Sequence, residues 1–226
     1  MNIPIAPEDY WQTLLPPQSV DDPLARPGSY VATLPDGHQL PLPIRQREDG
    51  SALASLIVNQ ASFEVLEAVA AHLANRLRPE KVDLIVGLPT LGLTLAAAVA
   101  RHLGHRRYLP LGTSPKFWYR RELSVAISSV TTLAERRLYI DPRLLPLLGG
   151  RRVALVDDVI SSGRSIVAGI ELLGLCGTTP AAIGAAMLQG GTWRAAQTAA
   201  LPDWQERTIG VFATPVLRKT ADGWTA

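Results

Sequence analysis

Short unbroken apolar runs alternate along most of this chain with stretches in which apolar residues recur every three to four positions. Residues 82–86, 107–111, 151–156, 181–188 and 208–213 are runs of the first kind and predict buried strands. Residues 93–103, closed by Gly104, and 166–176, closed by Gly177, predict helices; in the second, Ile166, Ile170 and Leu173 share one face. Residues 192–201 predict a further helix. Upstream, Ser62 is placed to cap a helix whose Phe63, Leu66, Ala70, Leu73 and Leu77 fall on one face, and Pro79 follows its end. Fully apolar strands alternating with helices imply an α/β fold, a doubly wound, mostly parallel sheet covered on both faces.

The first 61 residues do not follow that alternation. Residues 1–28 are proline-rich without a clear period, while 30–34 and 39–44 flank the turn Pro35-Asp36-Gly37 and predict a hairpin. Pro41 and Pro43 mark its second arm as an edge strand. The expected organisation is a small N-terminal accessory region, 1–61, on an α/β core, 62–226. Within the core, residues 113–136 form a long polar stretch ahead of a short strand at 137–140. Such a length in a compact domain predicts a functional lid. The apolar window 82–100 contains Gly87, Pro89 and Gly92, so it reads as strand, turn and helix rather than a membrane span.

Composition narrows the function classes. Of 226 residues, 47% are hydrophobic and 19% charged, which excludes an intrinsically disordered chain. A net charge of +2 gives no global field for nucleic acid. Cys176 is the single cysteine, so neither an internal disulfide nor a cysteine metal site can form, and a reducing, cytoplasmic setting is expected. Residues 1–11 lack the charged start and apolar run of a secretory signal. His38, His72, His102 and His105 are scattered, without metal-ligand spacing.

The chemistry concentrates in residues 153–165. The apolar strand ends at Asp157 and Asp158, and ligands of open α/β sheets bind beyond the carboxyl ends of strands. Two adjacent acids there are costly to bury without partners, so they call for a polyhydroxyl ligand or a cation. Ser161, Ser162, Gly163, Arg164 and Ser165 follow, leading into a helix. Free N–H groups, the helix dipole and hydroxyl donors make an anion cradle, and Gly163 lets the backbone approach a phosphate. Acceptors for sugar hydroxyls beside donors for phosphate suit a sugar phosphate.

This string, four apolar residues, Asp157-Asp158, Val159-Ile160 and Ser161-Ser162-Gly163-Arg164-Ser165, resembles the 5-phosphoribosyl 1-diphosphate signature of the type I phosphoribosyltransferases. The resemblance implies that Asp157 and Asp158 hold the ribose hydroxyls and that residues 161–165 hold the 5-phosphate. It extends more weakly over residues 81–188. There Pro89, Thr90, Leu91 and Gly92 are similar to the family's diphosphate loop, with Leu91 where many members carry a basic residue. Residues 113–136 fall at the family's catalytic loop, which implies roles for Lys116, Arg120 and Arg121 beside the leaving diphosphate. Trp193 is the candidate for stacking on a base, and the N-terminal hairpin for the hood over it.

Several further expectations come with the family. They are transfer of the phosphoribosyl group to a nucleobase, Mg²⁺ carried by the substrate with no metal ligand from the protein itself, and a homodimer without nucleic-acid or membrane partners. The segment order is similar to the adenine branch, so an adenine-like purine is the expected acceptor. Rival readings are a regulator of the same fold that senses the ribosyl diphosphate without turnover, and a nucleoside or sugar-phosphate hydrolase.

Overall fold

The computed structural model describes residues 5–127, 136–221 and 223–226. In chain order its main elements are β1 (Ser29–Thr33), β2 (Gln39–Gln46), β3 (Ser51–Ala54), α1 (Phe63–Leu77), β4 (Leu84–Gly87), α2 (Gly92–His102) and β5 (Leu109–Pro110). They continue as β6 (Ser124–Ala126), β7 (Arg137–Tyr139), β8 (Val153–Ile160), α3 (Arg164–Leu175), β9 (Ala182–Gln189), β10 (Thr208–Thr214), β11 (Val216–Thr220) and β12 (Gly223–Thr225).

Five strands form an all-parallel sheet in the order β10-β9-β8-β4-β5. From β4 the chain winds through α2 to β5 at one edge; from β8 it winds through α3 to β9 and β10 at the other. The winding reverses between β4 and β8, and that switch is where such sheets open a ligand crevice. Apolar cores cover both faces. Leu73, Leu95, Val99, Ala154 and Val156 belong to one with α1 and α2; Leu84, Leu155, Ile166, Ile170 and Trp204 belong to the other with α3. This is the doubly wound parallel architecture expected from the unbroken apolar runs.

A second, antiparallel sheet has the order β1-β2-β3-β11-β12. It corrects the division at residue 61: β11 pairs with β3 (Val216 opposite Leu53), so both ends of the chain build the accessory sheet. The edge-strand expectation is corrected too, because β2 lies between β1 and β3. Pro41 and Pro43 are tolerated because the β3 ladder begins only at Ile44, and on that side Pro43 needs no N–H, its carbonyl accepting from the Ser55 amide at 2.9 Å. Leu40, Leu42, Ala54 and Leu56 pack this sheet into the α1–α2 core. Trp11 is buried and donates its indole N–H to the Ser55 carbonyl at 3.0 Å.

The polar stretch 113–136 is partly structured. Strand β6 pairs antiparallel with β7, and Trp118 donates to Asp141 Oδ2 at 3.3 Å beneath the Arg143 guanidinium, 4.7 Å from its ring. Residues 128–135, near the end of the expected lid, lie outside the described residues. The helix predicted over 192–201 is a single 3-10 turn, Thr192–Ala195. Ala196 is extended there, and its carbonyl accepts from the side chains of Trp204 (3.1 Å) and Gln205 (2.5 Å) instead of continuing a helix.

Candidate ligand site at the strand switch

Strand β8 runs through both acids to Ile160, further than its apolar run predicts. On one side its pairing with β4 ends at Gly87 opposite Val156; on the other, pairing with β9 continues to Ile160 opposite Leu188. Asp157 and Asp158 therefore stand where β8 has lost one neighbour and kept the other. Both are buried, each 7% exposed. The Asp158 amide donates to Asp157 Oδ1 at 3.0 Å. Burial first, and then the neighbouring Asp158 charge, push the Asp157 carboxyl well above the usual carboxylate range. Burial also raises Asp158, but its hydrogen bond with Asp157 opposes that rise. Burial and proximity thus set both carboxyls against being ionised together, Asp157 the more strongly.

Two helices begin at this crevice, α2 after β4 and α3 after β8. Their N-termini differ from that of α1, where Ser62 Oγ accepts from the Val65 amide at 3.2 Å. Neither Leu91 before α2 nor Gly163 before α3 caps its helix with a side chain. The first N–H groups of both helices thus lack intrahelical partners and carry the positive end of the dipole. Close packing holds them in place. A Cβ on Gly92 would stand 2.6 Å from Asp157 Oδ1 and 2.8 Å from Asp157 Cα. Gly163 has φ +78°, a left-handed conformation, and rests on Trp204 and Ala196.

A cavity of about 380 Å³ opens beside Asp158. Leu91, Asp158 and Ser161 lie on its floor, and Gln189 at the end of β9 lines it as well. Arg45, Arg47 and Ser55 from the accessory sheet form its roof. This cavity therefore brings together Leu91, Asp158 and Ser161, with Gly92 packed on Asp157 beside it, whereas Ser162 and Arg164 line a separate cavity with Thr192 and Gln197. Ser162, Arg164 and Ser165 are exposed at the start of α3, and Ser161 is half-buried. Lys116, Arg120 and Arg121 are exposed ahead of β6, and none forms an ion pair among the described residues. Trp193 is corrected: it is 2% exposed, packs 5.8 Å from Trp204 and is covered by the Arg194 guanidinium at 4.4 Å. No ring face remains for a base. The roof residues escaped the sequence reading, and only the hairpin signal pointed toward them.

The chain matches the model of the phosphoribosyl transferase domain family over residues 56–210, more than half its length, and it belongs to that family. Similar proteins include the adenine phosphoribosyltransferase of Novosphingobium aromaticivorans, 31% identical over 52% of this chain and 62% of the relative. The hypoxanthine/guanine phosphoribosyltransferase of Methanobrevibacter ruminantium is 35% identical over 45% of this chain and 50% of its own. The chain thus spans between half and two thirds of the length of these relatives. Among solved structures, the adenine phosphoribosyltransferase of Giardia lamblia complexed with 9-deazaadenine superimposes with a TM-score of 0.57 at 20% identity. That match covers 76% of this chain and 93% of the other. The adenine phosphoribosyltransferase of Leishmania tarentolae gives 0.52 at 21% identity, over 67% and 72%. These structures share the fold.

Proposed function

We propose that this protein transfers the 5-phosphoribosyl group from 5-phosphoribosyl 1-diphosphate to a ring nitrogen of a purine base and releases diphosphate. The observation that carries the reading is the carboxylate pair at the strand switch, set between two helix N-termini whose N-cap residues, Leu91 and Gly163, supply no side-chain bond. Asp158 lines the cavity and is the acceptor for ribose hydroxyls; Asp157, the more deeply buried of the two, stands beside it and does not itself line the cavity. The N–H groups of the loop 161–165 and of the α3 N-terminus receive the 5-phosphate, and those of the turn 89–92 receive the diphosphate. As the glycosidic bond breaks, its electron pair leaves with the diphosphate and positive charge spreads over the ribose. The Asp158 carboxylate stabilises that charge, and Lys116, Arg120 and Arg121 are the cations available for the leaving group.

Mg²⁺ belongs to this proposal through the family. Among the described residues no three His, Cys, Asp or Glu side chains gather to hold a metal. The donor set fits an ion that is carried largely by substrate oxygens and water. Bound so, Mg²⁺ would neutralise charge on the departing diphosphate. Among the described residues no helix is long and apolar enough to cross a membrane. The cytoplasmic setting and the homodimer remain part of the family-based proposal. Segment order favours adenine as the acceptor, but adenine and hypoxanthine/guanine relatives match at comparable identity. The test is diphosphate release with a panel of nucleobases. Release only in the presence of a base supports transfer, release without one would mean hydrolysis, and binding without release would mean a sensor.

A further inference from the structure

The roof of the 380 Å³ cavity differs in chemistry from its floor. Arg45 lies in β2 and Arg47 just beyond it, and both line the cavity. The Arg45 side chain makes no hydrogen bond or ion pair among the described residues, while its backbone lies in the ladder with β3. Arg47 reaches one carboxylate, Asp49, at 3.7 Å, with both side chains more than half exposed. Gln189, almost fully buried, donates its amide N–H to the Ala54 carbonyl at 2.6 Å. That bond fixes the orientation of the amide and leaves Oε1 as the group able to accept. Asp158, assigned above to the ribose, is the one carboxylate on the cavity lining.

For a base the lining offers two guanidinium forks, which only donate, and the Gln189 amide oxygen, which only accepts, beside the Gln46 amide and the Ser55 and Ser161 hydroxyls, which can do either. An exocyclic amino group facing the guanidinium groups would set donor against donor. A carbonyl oxygen or a deprotonated ring nitrogen would instead gain a charge-assisted bond. We propose that Arg45 and Arg47 are specificity-determining residues, and that they select an oxygen-bearing purine carrying negative charge, of the dioxopurine type, in place of adenine. Gln189 Oε1 would accept from a ring N–H of the same base. The proposal rests on the transfer reading above and names the substrate class of that site.

The test compares kcat/KM for xanthine, hypoxanthine, guanine and adenine in the wild type and in the Arg45→Gln/Arg47→Gln double variant, with ribosyl diphosphate and Mg²⁺. Calorimetry follows ribosyl diphosphate binding in both proteins. Xanthine is expected to lead. The double variant should lose about tenfold or more on xanthine and less on hypoxanthine, because a desolvated charge-assisted bond discriminates more than a neutral one. Its affinity for ribosyl diphosphate should stay unchanged. A wild type that prefers adenine, or a variant that loses equally on every base, overturns this inference and leaves the transfer reading intact. A wild type that does not bind ribosyl diphosphate overturns both.

Discussion

The floor and the roof of the cavity are built in opposite ways. The floor presents short acidic side chains on β8, buried to 7% exposure and flanked by strands and helix ends that fix the backbone. The roof presents long, solvated arginines on an antiparallel sheet assembled from both ends of the chain. Short buried groups place charge with little freedom; long exposed ones can shift or be exchanged at small cost to the fold. Under the proposed function, the difference assigns binding of the sugar phosphate to the floor and discrimination among bases to the roof. Damage to the floor should therefore harm every reaction alike, whereas damage to the roof should reorder them.

The largest effect is expected for Asp158→Asn. Loss of the charged acceptor should weaken ribosyl diphosphate binding about 10- to 100-fold by calorimetry, whichever base follows, because such bonds contribute about 1.5–3 kcal/mol. Arg45→Gln, measured alongside, should leave that affinity in place. Equal losses in the two variants would erase the distinction between floor and roof.

Next comes Gly92→Ala. Its Cβ would press on the Asp157 carboxylate and backbone, so the floor must shift, at a cost of about 2 kcal/mol in a urea titration. An unchanged midpoint would show that the floor is looser than its packing indicates.

A smaller effect, of opposite sign, is expected for Asp157→Asn. Burial holds the Asp157 pKa well above its ordinary 3.8, so the folded state binds more protons than the unfolded state above that pH. The wild type is thus most stable below the ordinary value and loses stability as pH rises through the window toward the raised folded value. The amide carries no such penalty and should be more stable near neutrality by about 1 kcal/mol, with a flatter pH profile. A less stable variant at neutral pH would show that the site holds Asp157 ionised.

The smallest effect concerns the segment ahead of β6, which belongs to neither floor nor roof. Trypsin should cut first at Lys116, Arg120 or Arg121, and ribosyl diphosphate with Mg²⁺ should slow that cut a few-fold, as closure over a ligand would. Cleavage elsewhere, or no protection, would remove these cations from the site.

How much of this could be read from the chain follows the same division. The floor was legible because its groups are contiguous: Asp157, Asp158 and residues 161–165 lie on one strand, loop and helix. The unbroken apolar runs likewise disclosed the parallel sheet. The extension of β8 through its acids was not legible, because it depends on β9 staying paired after β4 has turned away. The roof was not legible either. Arg45 and Ser55 meet Asp158 only through tertiary packing, and β11 joins β3 across more than half the chain. Trp193 misled for a related reason: an aromatic after a strand end suits a stacking face, but Trp204, further along the chain, and the adjacent Arg194 enclose it.

The most direct test of the central claim is amide hydrogen exchange with and without 5-phosphoribosyl 1-diphosphate and Mg²⁺. The account predicts slowed exchange at residues 161–166, where the N–H groups at the start of α3 take the 5-phosphate, and at residues 90–93 at the start of α2. Protection confined to the accessory sheet, or none at either helix start, would contradict it.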